Sequence, residues 1–282
     1  MAAEVELREW TPRPGGVTCF LYEPKKKTAG RPGGAKLPLL VTIHGWSRNA
    51  REHAELILPF AKKHGVTLAA PLFDRARFPW FQRLGSNRAK GRADLALDET
   101  VAALAKSGRV DGDRIFLFGY SGGAQFAHRY AMAYPDRVAR VALGAPGWYT
   151  FPDPEQAYPL GIGPSRSFPG LVFEPARFFG VPFKVFVGEL DTRRDRNLKK
   201  TKRVDRRQGL DRQDRGRRWV QAMIAAARGY GIEMEIGFEV LPGADHSFRR
   251  CMEAGQMGER VFEFLFPRSG PRTAKPRGGP TA

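Results

Sequence analysis

Gly119-Tyr120-Ser121-Gly122-Gly123 decides the fold of this chain, because it joins an apolar run at residues 114–118 to a segment of helical composition at residues 124–132. A strand that turns directly into a helix must reverse sharply, and the two outer glycines allow the backbones to approach each other. The serine then takes a strained conformation, with its hydroxyl above the helix N-terminus. This context indicates a nucleophile at Ser121, although a glycine-rich connection with a surface serine has the same pattern.

A serine nucleophile needs a base, and His246 is the histidine whose position fits that role. It lies in a glycine-bearing loop, residues 241–248, between a strand-like run at 234–241 and a final helix-like run at 259–266. A late loop histidine is where the base is expected when the chain order is serine, acid, histidine. The other four histidines flank or lie in predicted helices or belong to a different motif: His44, His53, His64 and His128. Taken alone, His246 is more often an ordinary surface residue.

The acid that orients the base is expected after another buried strand, and Asp191 has that position. Residues 181–187 are apolar and β-branched, which indicates a strand that ends just before Asp191. Glu189 and Asp195 are close enough in sequence to compete for the role, and Asp245 would have to fold back on the neighbouring histidine. A carboxylate after a strand is otherwise a helix cap or a solvated group. The order serine, acid, histidine favours Asp191.

A third motif offers donors for a negatively charged oxygen. Residues 38–43 have a strand pattern and run into His44-Gly45-Trp46-Ser47, before a helix-like stretch at residues 51–63. We expect two backbone N–H groups to converge on one point, that of Gly122 and one from the loop around Trp46. His44 is expected to brace this loop rather than to transfer protons. Without the serine motif, the His-Gly pair would indicate only a turn.

With these motifs the chain resembles the α/β-hydrolase superfamily, over about residues 37–266. The resemblance is carried by His44-Gly45-Trp46, by Gly119-Tyr120-Ser121-Gly122-Gly123, by Asp191 after its strand, and by Gly243-Ala-Asp-His246. Within the superfamily the chain is similar to bacterial esterases related to polyhydroxyalkanoate depolymerases and feruloyl esterases, because Ala89-Lys-Gly-Arg92-Ala-Asp94 precedes a long helix and the serine turn is compact.

The resemblance implies a serine esterase that hydrolyses a carboxylic ester through an acyl-enzyme intermediate. Ser121 would be the nucleophile, Asp191 the acid and His246 the base, with Trp46 and Gly122 as the oxyanion donors. The same triad also serves thioesterases, peptidases and lactonases, so the bond that is cleaved stays open. The departures from the family are a basic insert after the acid and a cap, and both bear on the substrate class.

Length and composition predict one domain of the α/β class. With 282 residues and 42% hydrophobic content, the chain can bury a large core, and strands that alternate with helix-length segments predict a mostly parallel sheet with helices on both faces. The domain is expected to span residues 1–267, and a short turn predicts an antiparallel edge from strands near residues 4–10 and 17–22.

A small cap is expected at residues 147–180, which are rich in Pro, Gly and Phe and lack a steady periodicity. Trp148 and Tyr149 in this cap could line an acyl pocket, and Trp80 could form another wall. The alternative, that the aromatic side chains only pack the cap against the core, is equally consistent with the sequence.

The chain is strongly basic, with a formal net charge of +18 at pH 7. Three segments account for the whole excess: a loop at residues 25–36, residues 193–218 after the predicted acid, and a Pro- and Gly-rich tail at residues 268–282 that is expected to be disordered. Such runs are usually solvated surface. The middle segment could instead lie near the mouth of the cleft and attract anionic substrates.

A different class of function is a basic binding module on a hydrolase scaffold, which would bind nucleic acid or another polyanion. Such a module needs aromatic side chains interleaved with the basic ones, and only Trp219 borders the basic run. No zinc-finger, RNA-motif or helix-turn-helix signature is evident, so no specific nucleic-acid partner is predicted. A salt series of nucleic-acid binding would separate the two classes.

Other chemistries have no motif in this sequence. Cys19 and Cys251 are too few for a metal cluster, and the zinc-protease, P-loop and dinucleotide patterns are missing, so neither a metal nor another cofactor is predicted. The N-terminus lacks the apolar core of a signal peptide, and no apolar run is long enough to span a bilayer. We therefore expect a cytoplasmic enzyme that acts on a small or soluble ester, without a membrane partner; the oligomeric state is not predicted.

Overall fold

A computed structural model describes residues 7–24, 36–85, 91–166 and 168–267. They form a sheet of eight strands: β1 (Arg8–Trp10), β2 (Cys19–Tyr22), β3 (Leu39–Ile43), β4 (Thr67–Pro71), β5 (Ile115–Tyr120), β6 (Val138–Gly144), β7 (Phe183–Gly188) and β8 (Ile236–Leu241). The order across the sheet is β1-β2-β4-β3-β5-β6-β7-β8. The expected antiparallel edge is present, because β1 pairs with β2 and β2 with β4 in that sense. All other neighbours are parallel, so the predicted mostly parallel sheet is confirmed.

Helices connect the strands and cover the sheet. They are α1 (Ala50–His64), α2 (Ala93–Ala105), α3 (Gly122–Ala133), α4 (Pro175–Phe178), α5 (Lys202–Gln208), α6 (Arg212–Gly229), α7 (Phe248–Glu253) and α8 (Met257–Leu265). In the described part of the chain, no helix is both long and apolar enough to cross a membrane.

Two hydrophobic cores lie on the opposite faces of the sheet. The alternation of side chains along β3 shows the arrangement, because Val41 belongs to one core and Leu40 to the other. The first core includes Trp219 of α6, and the second includes Val261 of α8. Strands that are buried on both faces are apolar at nearly every position, which explains the continuous apolar runs in the sequence.

About half of the basic segment at residues 193–218 is helical, in α5 and the start of α6, which its charge pattern did not reveal. Thr201 and Asp211 cap the N-termini of α5 and α6, since their side chains accept hydrogen bonds from backbone N–H groups three residues on. Arg212 and Arg215 are fully buried. The segment is therefore not simply solvated surface, because part of its charge lies inside the protein.

The remaining expectations about domain organisation stay predictions. The described residues between 147 and 180 form turns, bends and irregular segments besides α4, and they bury several aromatic side chains, among them Trp148 and Phe168. The tail at 268–282 and all of the basic loop at 25–36 except Lys36 lie outside the described residues.

Candidate active site

Ser121 lies at the turn between β5 and α3, in the strained conformation that the sequence predicted. Its φ is +52° and its ψ is −109°, a combination that residues with a side chain rarely adopt. The turn requires glycine at position 123, because a Cβ there would overlap the carbonyl group of Ile43. The backbones of β3, β5 and α3 thus meet without intervening side chains beneath Ser121.

The substitution Gly123→Ala is expected to lower the free energy of unfolding by about 3 kcal/mol, because overpacking here would push apart rigid backbone segments. Urea denaturation of the variant measures the effect. Gly229→Ala is the matched control, since a Cβ at this exposed helical position meets nothing within 4 Å and should be neutral or slightly stabilising. Equal stability of the two variants would contradict the packing argument.

His246 lies between Ser121 and Asp191, within hydrogen-bonding distance of both. Its Nε2 is 3.1 Å from Ser121 Oγ, and its Nδ1 is 2.7 Å from Asp191 Oδ2. These distances suit a neutral imidazole that donates from Nδ1 to the carboxylate and accepts at Nε2 from the hydroxyl. Ser121 and Asp191 lie 125 and 55 positions before His246 in the chain, and the three residues form one hydrogen-bonded row.

The other carboxylates near the acid position have different partners. Glu189 accepts a hydrogen bond from the backbone of Gly243, and Asp245 accepts one from the backbone of Ser247. Asp195 pairs with Arg212. Of the four carboxylates that the sequence left in competition, Asp191 is the one that contacts His246.

A buried arginine that no sequence motif indicated contacts the far side of Asp191. Arg212 Nη1 lies 2.9 Å from Asp191 Oδ1 and 3.0 Å from Asp195 Oδ2. Burial opposes ionisation of Asp195, but hydrogen bonds from Arg212 lower its pKa overall. In the sequence Arg212 is one of many basic residues, so no local signal could distinguish it.

The backbone of Gly122, the residue after Ser121, lies close to the backbone of Trp46. A Cβ at Gly122 would lie 3.3 Å from the backbone nitrogen of Trp46, so the two residues are in close contact. Gly122 is the first residue of α3, where an N–H has no acceptor within the helix and carries part of the helix dipole. The convergence of these two N–H groups on one acceptor stays a prediction.

His44 holds the loop that carries Trp46. Its Nδ1 donates to the carbonyl of Gly45, and its Nε2 accepts from the backbone N–H of Phe73 at 3.0 Å. Burial lowers the pKa of His44 to about 4, so the ring is neutral at physiological pH. Both ring nitrogens are engaged with the backbone, as expected of a bracing residue.

A cavity of about 430 Å³ opens beside Ser121. Its walls include three charged side chains, those of Glu52, Arg196 and Arg249. His53 also borders the cavity; it is buried and stacks on Phe248, with ring centroids 3.8 Å apart. Burial holds the pKa of His53 well below its usual value, so this wall is uncharged.

The three aromatic residues predicted to contact substrate do not line this cavity. Trp80 is exposed, whereas Trp148 and Tyr149 are buried. The ring of Tyr149 stacks on Trp219, and its backbone bonds to the side chain of Gln208. A role of these aromatic side chains in substrate binding stays a prediction.

The described residues contain no group of three or more His, Cys, Asp or Glu side chains that could hold a metal ion. Cys19 and Cys251 are both buried and free, and burial raises the pKa of each thiol to about 12. Neither therefore supplies a thiolate at neutral pH.

Comparison with known proteins agrees with the fold. Residues 28–152 match the model of the esterase PHB depolymerase family, a span that contains Trp46 and Ser121 but not Asp191 or His246. No curated protein matches the chain in a sequence search.

Solved structures extend the similarity over nearly the whole chain. The poly(aspartic acid) hydrolase-1 of Sphingomonas sp. KT-1 is 21% identical, with a TM-score of 0.73 over 92% of this chain and 97% of that chain. LpqC, a poly(3-hydroxybutyrate) depolymerase of Bordetella parapertussis, is 24% identical, with a TM-score of 0.73 over 91% and 86%. FphF, a fluorophosphonate-binding serine hydrolase of Staphylococcus aureus, is 14% identical, with a TM-score of 0.58 over 92% and 97%. The chain therefore has the α/β-hydrolase fold, and its residues 28–152 are similar to the esterase PHB depolymerase family.

Proposed function

We propose that this protein hydrolyses carboxylic esters through an acyl-enzyme intermediate on Ser121. The observation that carries the proposal is the position of His246, whose two ring nitrogens lie 3.1 Å from Ser121 Oγ and 2.7 Å from Asp191 Oδ2. A hydroxyl, an imidazole and a carboxylate in this order form the arrangement that activates a serine for acyl transfer.

In the first half of the reaction, Ser121 Oγ attacks the ester carbonyl carbon while His246 Nε2 takes the hydroxyl proton. The backbone N–H groups of Gly122 and Trp46 stabilise the oxyanion that forms. His246 then gives the proton to the leaving alcohol, and the acyl group stays on Ser121. Asp191 holds the imidazole in the required tautomer and stabilises its protonated form.

In the second half, water attacks the acyl carbon and His246 takes a proton from it. The carboxylic acid leaves, and the proton returns to Ser121 Oγ. The charged walls of the cavity favour a short or polar substrate over a long aliphatic chain, because an aliphatic chain would desolvate Glu52, Arg196 or Arg249.

Stopped-flow hydrolysis of p-nitrophenyl esters with increasing acyl length tests this proposal. The expected result is a burst of p-nitrophenol equal to the enzyme concentration, followed by a slower steady rate, with the highest kcat/KM for short acyl groups. A folded protein that gives neither a burst nor turnover with any of these esters would refute the assignment as an esterase.

The ion pairs of the basic segment support an enzyme over a binding module for polyanions. Arg212 and Arg215 are buried and paired with Asp191 and Asp205. Other pairs of this segment lie nearer the surface: Arg194 with Asp205, Arg207 with Asp153 and Arg218 with Asp214. Much of its positive charge is therefore engaged within the domain rather than free for a polymer.

Arg212 is proposed as a positioning residue, which acts on the reaction through Asp191. Its guanidinium neutralises a buried carboxylate and fixes the orientation of that carboxylate from the side opposite His246. Breaking such a pair leaves an unpaired buried charge. We expect the contact of Arg212 with Asp191 to raise kcat about 10- to 100-fold, the equivalent of one hydrogen bond to a charged group.

Arg212→Gln is expected to lower kcat by that factor and to leave KM nearly unchanged. The reason is that Arg212 is buried, contacts Asp191 and does not line the cavity, so its loss disturbs the carboxylate that orients His246 rather than the binding of substrate. Arg215→Gln is the matched control: Arg215 is equally buried in the same helix but pairs with Asp205. Both variants should lose stability, and an equal fall of kcat in both would contradict a positioning role for Arg212.

A further inference from the structure

Three cationic side chains surround one indole ring, that of Trp148. The Cζ atom of Arg129 lies 4.1 Å from the ring centroid, the Nζ atom of Lys199 4.3 Å and the Cζ atom of Arg83 5.5 Å. Arg129 is fully buried, and Arg83 and Lys199 are half-buried. Cations gathered around one ring repel one another where water is excluded, unless a negative group lies among them.

No carboxylate in the described residues pairs with any of the three cations. Arg129 donates to Thr150 Oγ1 at 2.9 Å and to the carbonyl of Gln125 at 3.1 Å, both neutral acceptors. Its Nη2 is buried without an acceptor, and so is the Nε of Arg83. The nearby Arg215, in contrast, has Asp205 as its partner.

Titration of the cluster reflects this excess of positive charge. Burial, followed by repulsion from Arg83, Arg129 and Arg215, lowers the pKa of Lys199 to about 8. Burial also lowers the pKa of Arg129 to about 9. Both groups still carry a proton at neutral pH, so the cluster holds cationic donors that an anion would stabilise.

The cluster lies beside the candidate active site. Arg83 borders a small surface cavity of about 130 Å³, next to the exposed Trp80. The turn at residues 81–83 also contains Phe81, which would contact a Cβ at Gly122 at 3.3 Å. On the other side, Lys199 comes two residues after Asn197, which lines the cavity of Ser121. The segment of Lys199 therefore reaches this cavity, and the segment of Arg83 reaches Gly122, the residue after Ser121.

We propose that Arg83, Arg129 and Lys199 form a binding site for a small oxyanion, a carboxylate or a phosphate, next to the cavity of Ser121. The free N–H groups of the two arginines suit the paired oxygens of such an anion, and Lys199 adds a point charge. The anion is either free in solution or a carboxylate on the ester substrate; the second source rests on the proposed esterase function. The site itself does not depend on that function.

Thermal unfolding with increasing inorganic phosphate, at an ionic strength held constant with potassium chloride, tests the site. The Tm of the native protein should rise with phosphate, because the anion binds only the folded state. Lys199→Met should weaken phosphate binding about tenfold, the equivalent of one hydrogen bond between charged groups. Lys200→Met is the matched control: the residue is exposed, bonds to the carbonyl of Arg194 and should keep the full response to phosphate.

The Tm values measured without phosphate separate an anion-binding role of Lys199 from a structural role. Lys199→Met removes one of three repelling cations, so its Tm without phosphate should exceed that of the native protein. A purely structural lysine would lower the Tm when replaced. The absence of any phosphate-dependent rise in the native protein, or an equal response in Lys199→Met and Lys200→Met, would overturn the proposal.

Ester kinetics distinguish the two sources of the anion. If the site takes a carboxylate of the substrate, phosphate should inhibit hydrolysis of mono-p-nitrophenyl glutarate competitively and leave p-nitrophenyl acetate unaffected. If it takes a free anion, phosphate should bind without competing with either ester. Either pattern supports the anion site. If the protein binds phosphate but hydrolyses no ester, the anion site is supported and only the assignment as an esterase is refuted.

Discussion

Ser121→Ala is expected to abolish ester hydrolysis, with a fall in kcat on the order of 10⁶-fold, as seen when the nucleophile of a serine triad is removed. The variant should also lose the covalent adduct that fluorophosphonates form with an activated serine, measured as intact protein mass. Folding should be unaffected, because alanine tolerates the backbone angles at this position no worse than serine does. The side-chain bond lost is the one to His246.

Ser47→Ala is the control for the labelling experiment. Ser47 lines the same cavity, but its hydroxyl bonds to Asn49 and not to a base. A single adduct should therefore form on native protein and on Ser47→Ala, and none on Ser121→Ala. Retention of the adduct in Ser121→Ala would mean that another serine is the nucleophile, and the proposed mechanism would fail.

Asp191→Asn should lower kcat on the order of 10⁴-fold, because the amide no longer holds the imidazole in the tautomer that accepts a proton from Ser121. The substitution preserves shape, but it also removes the buried ion pair with Arg212. Thermal unfolding of the variant is therefore measured first, and kcat is determined at a temperature well below its Tm.

Asp195→Asn and Glu189→Gln are the comparison variants for Asp191. Asp195 shares the guanidinium of Arg212, and Glu189 bonds to the loop before His246, but the structure shows neither in contact with the imidazole. We expect each to lower kcat by less than about tenfold. Near-normal activity of Asp191→Asn together with a large loss in one of the other two variants would assign the acid to that other residue.

Local sequence was sufficient for the elements that surround Ser121. The run before Ser121 is β5, the segment after it is α3, and the strand before the histidine-glycine motif is β3. These predictions depend on apolar periodicity and on glycine at the turn, which act over a few residues. The resemblance to α/β-hydrolases was confirmed for the same reason, since the motifs that carry it are short and contiguous.

The basic segment shows where local sequence was insufficient. Its charge pattern indicated solvated surface, yet α6 buries Arg212 and Arg215 in ion pairs. An arginine is stable in the interior only when the folded chain supplies its partners, and those partners are up to 21 residues away in sequence. The cluster around Trp148 was hidden in the same way, because its three cations come from separate segments.

The sequence by itself determined the fold class, the turn at Ser121 and the strands that precede Asp191 and His246, because these follow from contiguous patterns. Only the tertiary structure decided which of four carboxylates contacts His246, which arginine supports Asp191 and where uncompensated positive charge gathers. Those outcomes depend on distances between residues far apart in the chain, and burial then determines how strongly their charges interact.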